Sequence, residues 1–307
     1  MYKNFFGLRE AAFNMNPDPR FLFATRHSEE VLACLTYGIQ NLKGFMLLTG
    51  EVGTGKTTLL NKLLEWLRNA HVATAFVFNS RLDPMQFLDF MMADFGINCE
   101  SSEKSRILLR LNQWLLERYR AGQTAVLIVD EAQNLSPQVL EEIRLLTNLE
   151  TSSEKLLQIV LSGQPELEEK LKQPQLRQLR QRITLRCKTY PLTLEETYGY
   201  IAERIRIAGG NNQPIFSSEA VEAIFRYAQG IPRVINLLCE HALISAYVDQ
   251  QKPVLVSTIE PVAREFELHE IEPTPPSSTA IVGGEDLRLM EALQNLATLM
   301  DRLHRSE

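Results

Sequence analysis

The residues best suited to chemistry lie in one short loop. Residues 50–58 read GEVGTGKTT, directly after the apolar run FMLLT and before the leucine-rich stretch that begins at Leu59. Phosphate oxygens are bound by backbone N–H groups at a helix N-terminus, and a Cβ at the glycine positions would block the tight turn. The pattern GxxxxGK[ST] between a predicted strand and a predicted helix therefore indicates a loop that binds the phosphates of a nucleotide.

Lys56 and Thr57 have the two specific roles that this pattern predicts. The Lys56 ammonium is a point charge for the β- and γ-phosphates, and the Thr57 hydroxyl is a ligand for Mg²⁺. A chance glycine-rich turn would explain the composition, but not the strand before it and the helix after it. The predicted nucleotide-binding residues of the loop are Gly50, Glu51, Val52, Gly53, Thr54, Gly55, Lys56, Thr57 and Thr58.

Two adjacent carboxylates, Asp130 and Glu131, follow the apolar run AVLIV at residues 125–129. Parallel sheets bind ligands beyond the carboxyl ends of their strands, so we expect both side chains on the ligand side. Asp130 suits the shell of the Mg²⁺ ion, and Glu131 suits polarisation of an attacking water molecule. Capping or surface acids are the alternative interpretation. Together with the loop, the pair predicts hydrolysis of the nucleotide and not binding alone.

Short apolar runs alternate with helix-length amphipathic segments over residues 1–191. This alternation predicts an α/β fold, a parallel five-stranded sheet with helices on both faces. Chemistry is expected just after each strand, where the loop and the acidic pair lie. The predicted strands are Phe45–Thr49, Ala73–Phe78, Ala125–Val129, Leu156–Leu161 and Ile183–Lys188.

From about Leu192 the pattern changes to helices alone, which predicts a small all-helical lid domain over residues 192–268 with Tyr190–Thr193 as the hinge. The predicted helices are Thr193–Ala208, Ser217–Gln229, Pro232–Val248 and a fourth capped by Ser257.

Two further segments are predicted after the lid domain. Residues 269–286 are rich in Pro, Ser, Thr and Gly, which is typical of a flexible linker. Over residues 287–305, apolar side chains recur at alternating spacings of four and three, which predicts one short amphipathic helix. Such a helix is too short to be stable alone, so it needs a partner, its own copies or the parent domain.

Composition limits the class of protein and its location. The 307 residues are 45 % hydrophobic and 23 % charged, as in ordinary globular proteins, and the net charge of −6 gives no general attraction for a polyanion. The four cysteines form no CxxC pair, which favours a reducing compartment. The N-terminus lacks a signal peptide's apolar core, and no run reaches the roughly 18 apolar residues of a membrane span. We therefore expect a cytoplasmic chain that reaches the inner membrane only through a partner.

The motifs in their order along the chain resemble an AAA+ ATPase, and in detail the ExeA/GspA family. The likeness covers about residues 1–266. Members of that family usually continue into a membrane span and a peptidoglycan-binding module. The sequence has neither, so we expect it to be similar to the shorter relatives. The resemblance rests on FFGLRE, NPDPRFLF (16–23), His27, LTYG (35–38), GEVGTGKTT, DEAQNL (130–135), SGQPEL (162–167), LRQLRQRI (176–183) and GIPRVIN (230–236).

The resemblance implies roles for residues outside the loop and the acidic pair. Asn79 matches a polar residue that holds the catalytic Glu inactive, and Gln164 matches a sensor of the γ-phosphate; a simple turn would explain either one. Arg182, with Arg180 as runner-up, matches an arginine finger that acts on a neighbouring subunit. Arg233 matches the arginine that reaches from the lid domain to the nucleotide.

The alternatives for the basic and aromatic residues stay open. Residues 170–188 carry seven Lys or Arg and no Asp or Glu, so Arg177, Arg180 and Arg182 could equally form a solvated basic face. Four aromatic or imidazole side chains could frame the adenine ring, although such residues are more often core. These are Phe21, Phe23, His27 and Tyr37.

The function implied by the resemblance is ATP hydrolysis, with Mg²⁺, by a homo-oligomeric ring or filament. The hydrolysis would drive assembly or remodelling in a secretion or type IV, MSHA-like, pilus system through an inner-membrane partner bound by the terminal helix. The alternative is a DNA-dependent transposition regulator of the TnsC or TniB type, because the basic segment could follow phosphates. Against it stand the acidic net charge and the lack of a recognisable DNA-reading motif.

Overall fold

A computed structural model describes residues 1–78, 81–99, 103–210 and 214–270. The chain divides into two compact units. The α/β unit contains Pro17–Leu22 and Leu35–Tyr190, and the helical unit contains Met1–Asn16, Phe23–Cys34 and the described residues from Pro191 onward. Asn79, the predicted terminal helix and all of the predicted linker but its first two residues lie outside the described residues.

A parallel sheet forms the centre of the α/β unit, as the alternation predicts. Three central strands are buried along their whole length, because helices cover both faces. The spatial order is β2-β3-β4-β1-β5. Leu47 pairs with Leu161, and Leu127 pairs with Ile159. The strands are β1 (Phe45–Thr49), β2 (Ala73–Val77), β3 (Ala125–Val129), β4 (Leu157–Gly163) and β5 (Leu185–Lys188).

Three strands have bounds that differ by one to two residues from the predicted ones. The second strand ends at Val77 and not at Phe78, and the fifth begins at Leu185 and not at Ile183. The fourth runs over Leu157–Gly163, so it continues past Leu161. Ser162, which follows the predicted end of the strand, is fully buried. The extension places a polar side chain at the carboxyl end of the sheet.

Helices around the sheet begin where the sequence supplies caps. Asp83 and Gln86 form a capping box at one helix, and the Ser136 hydroxyl caps another. Their apolar faces join the strands in one core. These helices are α3 (Lys56–Asn69), α4 (Pro84–Asp94), α5 (Lys104–Arg120), α6 (Pro137–Leu146), α7 (Pro165–Leu171) and α8 (Arg177–Arg182), while α2 (Arg26–Gln40) has residues in each unit.

The helical unit has the four helices that the sequence predicts after Leu192. Thr193 and Glu196 form a capping box at the first of them. The prediction that Ser257 caps the last helix is wrong. That helix begins one residue earlier, and Leu255 occupies the N-cap position without a side-chain hydrogen bond. The helices are α9 (Leu194–Ile207), α10 (Ser218–Ala228), α11 (Pro232–Val248) and α12 (Val256–Glu265), and the N-terminal α1 (Tyr2–Phe6) lies in the same unit.

The N-terminal segment groups with the helical unit, which differs from the predicted α/β domain over residues 1–191. Phe6, Leu8 and Phe13 are buried in the core of the helical unit. Burying a large apolar side chain stabilises a fold by about 1.5–3 kcal/mol, which explains why this segment follows its aromatic residues. No helix in the described part of the chain is long and apolar enough to cross a membrane.

Candidate active site

The loop between β1 and α3 has the backbone that its glycines predict. Gly53 and Gly55 have φ angles of 81° and 95°, in the left-handed region that glycine adopts without strain. Gly50 is required for a different reason, because a Cβ there would lie 1.9 Å from Oγ1 of Thr189. The Thr54 hydroxyl donates to the Glu51 carbonyl at 2.8 Å. The loop therefore closes on itself at the carboxyl end of β1.

The remaining predicted residues of the loop follow it in order. Val52 is 50 % exposed at the tip, and Glu51 is exposed beside it. Lys56, Thr57 and Thr58 form the first turn of α3, with Lys56 buried and the two threonines half-buried. All nine predicted loop residues thus lie in one continuous strand–loop–helix unit.

Lys56 is a buried cation at the start of a helix. Its Nζ donates to the carbonyl oxygens of Gly50 at 2.7 Å and Glu51 at 2.9 Å. Burial lowers the pKa of Lys56, and the nearby carboxylates of Glu131 and Asp130 oppose that shift. Since its described hydrogen bonds go to neutral carbonyls, the ammonium is available to an anion that enters the loop.

Asp130 follows β3 and is held from three sides. Its Oδ2 accepts a hydrogen bond from the Thr57 hydroxyl at 2.9 Å, which joins the acidic pair to the loop. Its Oδ1 accepts from the Ser162 hydroxyl at 2.7 Å and from the Glu131 N–H at 2.9 Å. Asp130 is only 4 % exposed, so its carboxylate depends on these donors.

Glu131 has a backbone conformation that is rare for a residue with a side chain. Its φ and ψ angles are 52° and 35°. Such a conformation costs of order 1–3 kcal/mol and persists where the surroundings determine it, often at functional sites. Oε2 of Glu131 accepts from Nε2 of Gln133 at 2.6 Å and from Nε2 of Gln164 at 3.1 Å. The predicted sensor and the predicted base are therefore in direct contact.

Two residues of this site were missed by sequence reasoning. Ser162 bonds Asp130, and Gln133 bonds Glu131. A signal for Ser162 was present, because a hydroxyl at the end of an apolar run can lie beside the end of a neighbouring strand. Gln133 lies in the short 3-10 helix Ala132–Asn134, whose side-chain directions the sequence does not predict.

The predicted arginines lie apart from this network in the described contacts. Arg180 is exposed and Arg182 is half-buried, at the end of α8. In the described part of the chain, the side chains of Arg177, Arg180 and Arg182 form no hydrogen bond or ion pair. Arg233 is the second residue of α11 in the helical unit and is exposed; Pro232 begins that helix, as predicted. Their proposed roles toward a nucleotide stay predictions, as does the role of Asn79.

The four candidates for the adenine pocket are divided between the units. Phe21 and Tyr37 belong to the α/β unit, where Arg20 lies over the Phe21 ring and Lys43 over the Tyr37 ring. Phe23 and His27 belong to the helical unit, where Phe23 packs edge-to-face against Tyr200. An adenine contact stays a prediction for each of them.

Comparison with known proteins gives the same picture as the geometry. Residues 39–171 match the protein family described as AAA domain. General secretion pathway protein A of Aeromonas hydrophila is 45 % identical over 248 residues, which are 80 % of this chain and 45 % of that protein. The chain therefore spans less than half the length of that curated relative.

Solved structures share the fold. The Aeropyrum pernix ORC2 protein, solved as ADPNP–ADP complexes, has a TM-score of 0.62 at 16 % identity, covering 86 % of this chain and 73 % of its own. Drosophila ORC bound to DNA has a TM-score of 0.65 at 22 % identity, covering 84 % of this chain and 65 % of its own. Together with the loop, the parallel sheet and the acidic pair, these similarities confirm the predicted P-loop fold of the AAA+ type, and over 80 % of its length the chain is similar to General secretion pathway protein A.

Proposed function

We propose that this chain binds ATP with Mg²⁺ and hydrolyses it to drive assembly or remodelling in a secretion-related system. The observation that carries the proposal is the hydrogen bond of 2.9 Å between the Thr57 hydroxyl and Oδ2 of Asp130. It joins the phosphate loop to the acidic strand end, so that a loop side chain and a buried carboxylate converge on one point. A purely structural loop would have no reason to face a carboxylate there.

The residues present fit a Mg²⁺ ion. Adjacent ligands of an octahedral Mg²⁺ are about 2.9 Å apart, which is the separation of the Thr57 and Asp130 oxygens. Among the residues described, no three His, Cys, Asp or Glu side chains form a metal cluster, so phosphate oxygens and water would complete the shell. Bound Mg²⁺ supplies neutralisation of charge on the β- and γ-phosphates.

The chain's own residues divide the remaining work. Lys56 and the backbone N–H groups of residues 50–57 bind the phosphates. Glu131 orients the attacking water and accepts its proton. Gln164, which bonds Glu131, lies where it can position that water. We propose that the basic end of α8 offers the half-buried Arg182 or the exposed Arg180 to a neighbouring subunit, and that hydrolysis therefore requires a homo-oligomer.

The proposed biological role rests on the relative named General secretion pathway protein A. We propose a cytoplasmic ATPase in a secretion or type IV, MSHA-like, pilus system, with the predicted terminal helix as the contact to an inner-membrane component. The second candidate is DNA-stimulated hydrolysis, which Arg177 and Arg180 on α8 favour, since both are exposed and form no side-chain ion pair with a described residue.

The test is phosphate release by the purified full chain at increasing protein concentration. We expect Glu131→Gln to lower kcat by at least about 100-fold while ATP binding is kept, because the amide cannot accept the proton. Glu169→Gln is the matched control, since that exposed carboxylate contacts only Lys172. Normal hydrolysis by Glu131→Gln would remove the assigned base, and no ATP turnover by the wild-type chain at any concentration would overturn the proposal.

Three further measurements test the proposed partners. Mixtures of Arg182→Ala and Glu131→Gln subunits recover activity if a site uses two chains, and no recovery counts against a finger at Arg182. Duplex DNA that stimulates hydrolysis at low salt and loses its effect at high salt supports the DNA-dependent function. Co-purification of an inner-membrane component, lost when residues 287–305 are deleted, supports the secretion role.

A further inference from the structure

Gln133 touches the proposed catalytic carboxylate more closely than any other described side chain does. Its Nε2 lies 2.6 Å from Oε2 of Glu131, compared with 3.1 Å for Nε2 of Gln164. Both donors share one oxygen. In the described part of the chain, Oε1 of Glu131 accepts no hydrogen bond from protein. The two oxygens of one carboxylate therefore differ, since one is restrained and one is available to a ligand.

The orientation of the Gln133 amide is determined by its second contact. Its Oε1 accepts a hydrogen bond from the backbone N–H of Gln164 at 3.2 Å. A carbonyl oxygen held by an N–H directs the amide nitrogen to the other side, where Glu131 lies. Gly163 leaves the space for this arrangement, because a Cβ there would lie 2.9 Å from Oε1 of Gln133.

The backbone of Gln133 is held as well. Nζ of Lys170, on α7, donates to the carbonyl oxygens of Gln133 at 2.6 Å and Leu135 at 2.7 Å. Lys170 is half-buried, and this burial lowers its pKa. Gln133 is thus attached to the N-cap residue of α7 by its side chain and to Lys170 of α7 by its backbone.

We propose that Gln133 is a positioning residue for hydrolysis, which holds Oε2 of Glu131 so that Oε1 receives the proton of the attacking water. The proposal rests on the function proposed above for Glu131. Glu131 has a left-handed backbone, and neighbouring groups must fix the direction of a side chain on such a backbone. The hydrogen bond from Gln133 provides this restraint.

A structural role for Gln133 makes a different prediction from a positioning role. If the residue only stabilised the turn, its loss would lower the melting temperature and reduce kcat and ATP binding together. If it positions Glu131, the reaction slows while the nucleotide still binds, because Gln133 has no described contact with the phosphate loop. The ratio of the change in kcat to the change in KM separates the two.

The sharpest variant is Gln133→Glu. The new carboxylate keeps the acceptor for the Gln164 N–H, but it places a second acid beside Glu131. Two carboxylates this close share one proton at lower pH, which restores a donor to Oε2, and lose it at higher pH. We expect kcat relative to wild type to fall roughly tenfold between about pH 6 and about pH 9, with KM changed less than about threefold.

Two more variants complete the experiment. Gln133→Met removes both hydrogen bonds at similar volume, and we expect kcat to fall about 10- to 100-fold at every pH, with ATP binding kept. Gln138→Glu is the matched control, since the exposed side chain of that glutamine forms no hydrogen bond with a described residue. Fluorescent nucleotide binding checks that each variant is folded.

The outcomes keep the two proposals apart. If wild type hydrolyses ATP, Glu131→Gln does not, and Gln133→Glu and Gln133→Met have the kcat of wild type, then the positioning role is overturned while the ATPase function stands. Equal loss of kcat and ATP binding, together with a lower melting temperature, also overturns it in favour of a structural role. No hydrolysis by wild type overturns both.

Discussion

Lys56 in the α/β unit and Arg204 in the helical unit are two cations with the same exposure of 6 %. Lys56 donates two hydrogen bonds to carbonyls of its own loop. Arg204 donates to the carbonyls of Ala12 at 2.6 Å and Asn14 at 3.1 Å, and to the Tyr200 hydroxyl at 3.0 Å. One cation closes a local loop, and the other attaches a distant segment of chain to α9.

The two residues show how a buried charge at a ligand site differs from a buried charge that stabilises the fold. A planar guanidinium spreads its donors over several fixed acceptors and is well suited to attach the N-terminal segment. An ammonium is a compact charge whose pKa burial can lower, and carboxylates near Lys56 keep it charged without bonding it directly. The charge on Lys56 is therefore available to a ligand, whereas Arg204 serves the fold.

The largest expected effect comes from removing the cation of the loop. Lys56→Met should weaken ATP binding by at least about 100-fold, since the phosphates lose a buried point charge. The melting temperature should change little, because the variant no longer buries a cation. Equilibrium binding of a fluorescent ATP analogue measures this, and Lys62→Met, an exposed lysine of α3 paired with Glu65, is the control. Unchanged ATP binding by Lys56→Met would show that the Lys56 charge does not bind the nucleotide.

For Arg204 in the helical unit we expect a loss of stability while nucleotide binding is kept. Arg204→Met should destabilise that unit by about 3 kcal/mol, because the buried Ala12 carbonyl, the Asn14 carbonyl and the Tyr200 hydroxyl lose a charged donor. Urea unfolding and hydrogen exchange at α9 measure this, and nucleotide binding by the folded protein should stay within about threefold of wild type. Arg206→Met, whose exposed side chain pairs only with Glu203, should change stability by less than about 0.5 kcal/mol. A greater loss of ATP binding than of stability would contradict the scaffold role.

The smallest expected effect is the pH dependence of stability and of ATP affinity that Lys56 causes. Burial lowers the pKa of Lys56 below the usual 10.5, so the unfolded chain binds more protons between the two values. The contribution of this residue to stability therefore rises with pH in that window. Phosphate binding needs the ammonium, so ATP affinity should fall in the same window, by up to about tenfold per pH unit.

Calorimetric titrations at alkaline pH, below the onset of unfolding, measure this dependence. Lys56→Arg should remove it, because a guanidinium stays charged throughout. An ATP affinity that is independent of pH until the protein unfolds would show that the Lys56 ammonium does not bind the phosphates.

The sequence was sufficient to predict structural features that depend on a few neighbouring residues. Glycines at 53 and 55 and the helix start at Lys56 specify the phosphate loop through the conformation of a few consecutive residues. The continuously apolar runs of β1 and β3 predict buried parallel strands, and Thr193 predicts the start of α9. These features depend on backbone preferences and on hydrophobic periodicity, both of which neighbouring residues determine.

The sequence was insufficient to predict contacts between residues that lie far apart in the chain. Ser162 meets Asp130 only because β4 pairs with β3, and the sheet order is a property of the whole chain. The N-terminal segment lies in the helical unit because Phe6 and Phe13 find a core there that no local pattern indicates. Ser257 failed as a cap because helix caps compete with tertiary packing within one residue of a boundary.

The close approach of Gly50 to Thr189 constrains how this loop can change. A Cβ at position 50 would lie 1.9 Å from the Thr189 hydroxyl and 2.8 Å from its carbonyl oxygen, and that hydroxyl is 2.7 Å from the Thr54 hydroxyl. Because that carbonyl belongs to the backbone, a smaller side chain at 189 relieves only one of the two clashes. A random library at both positions, selected for turnover, should therefore keep glycine at 50 whichever residue stands at 189.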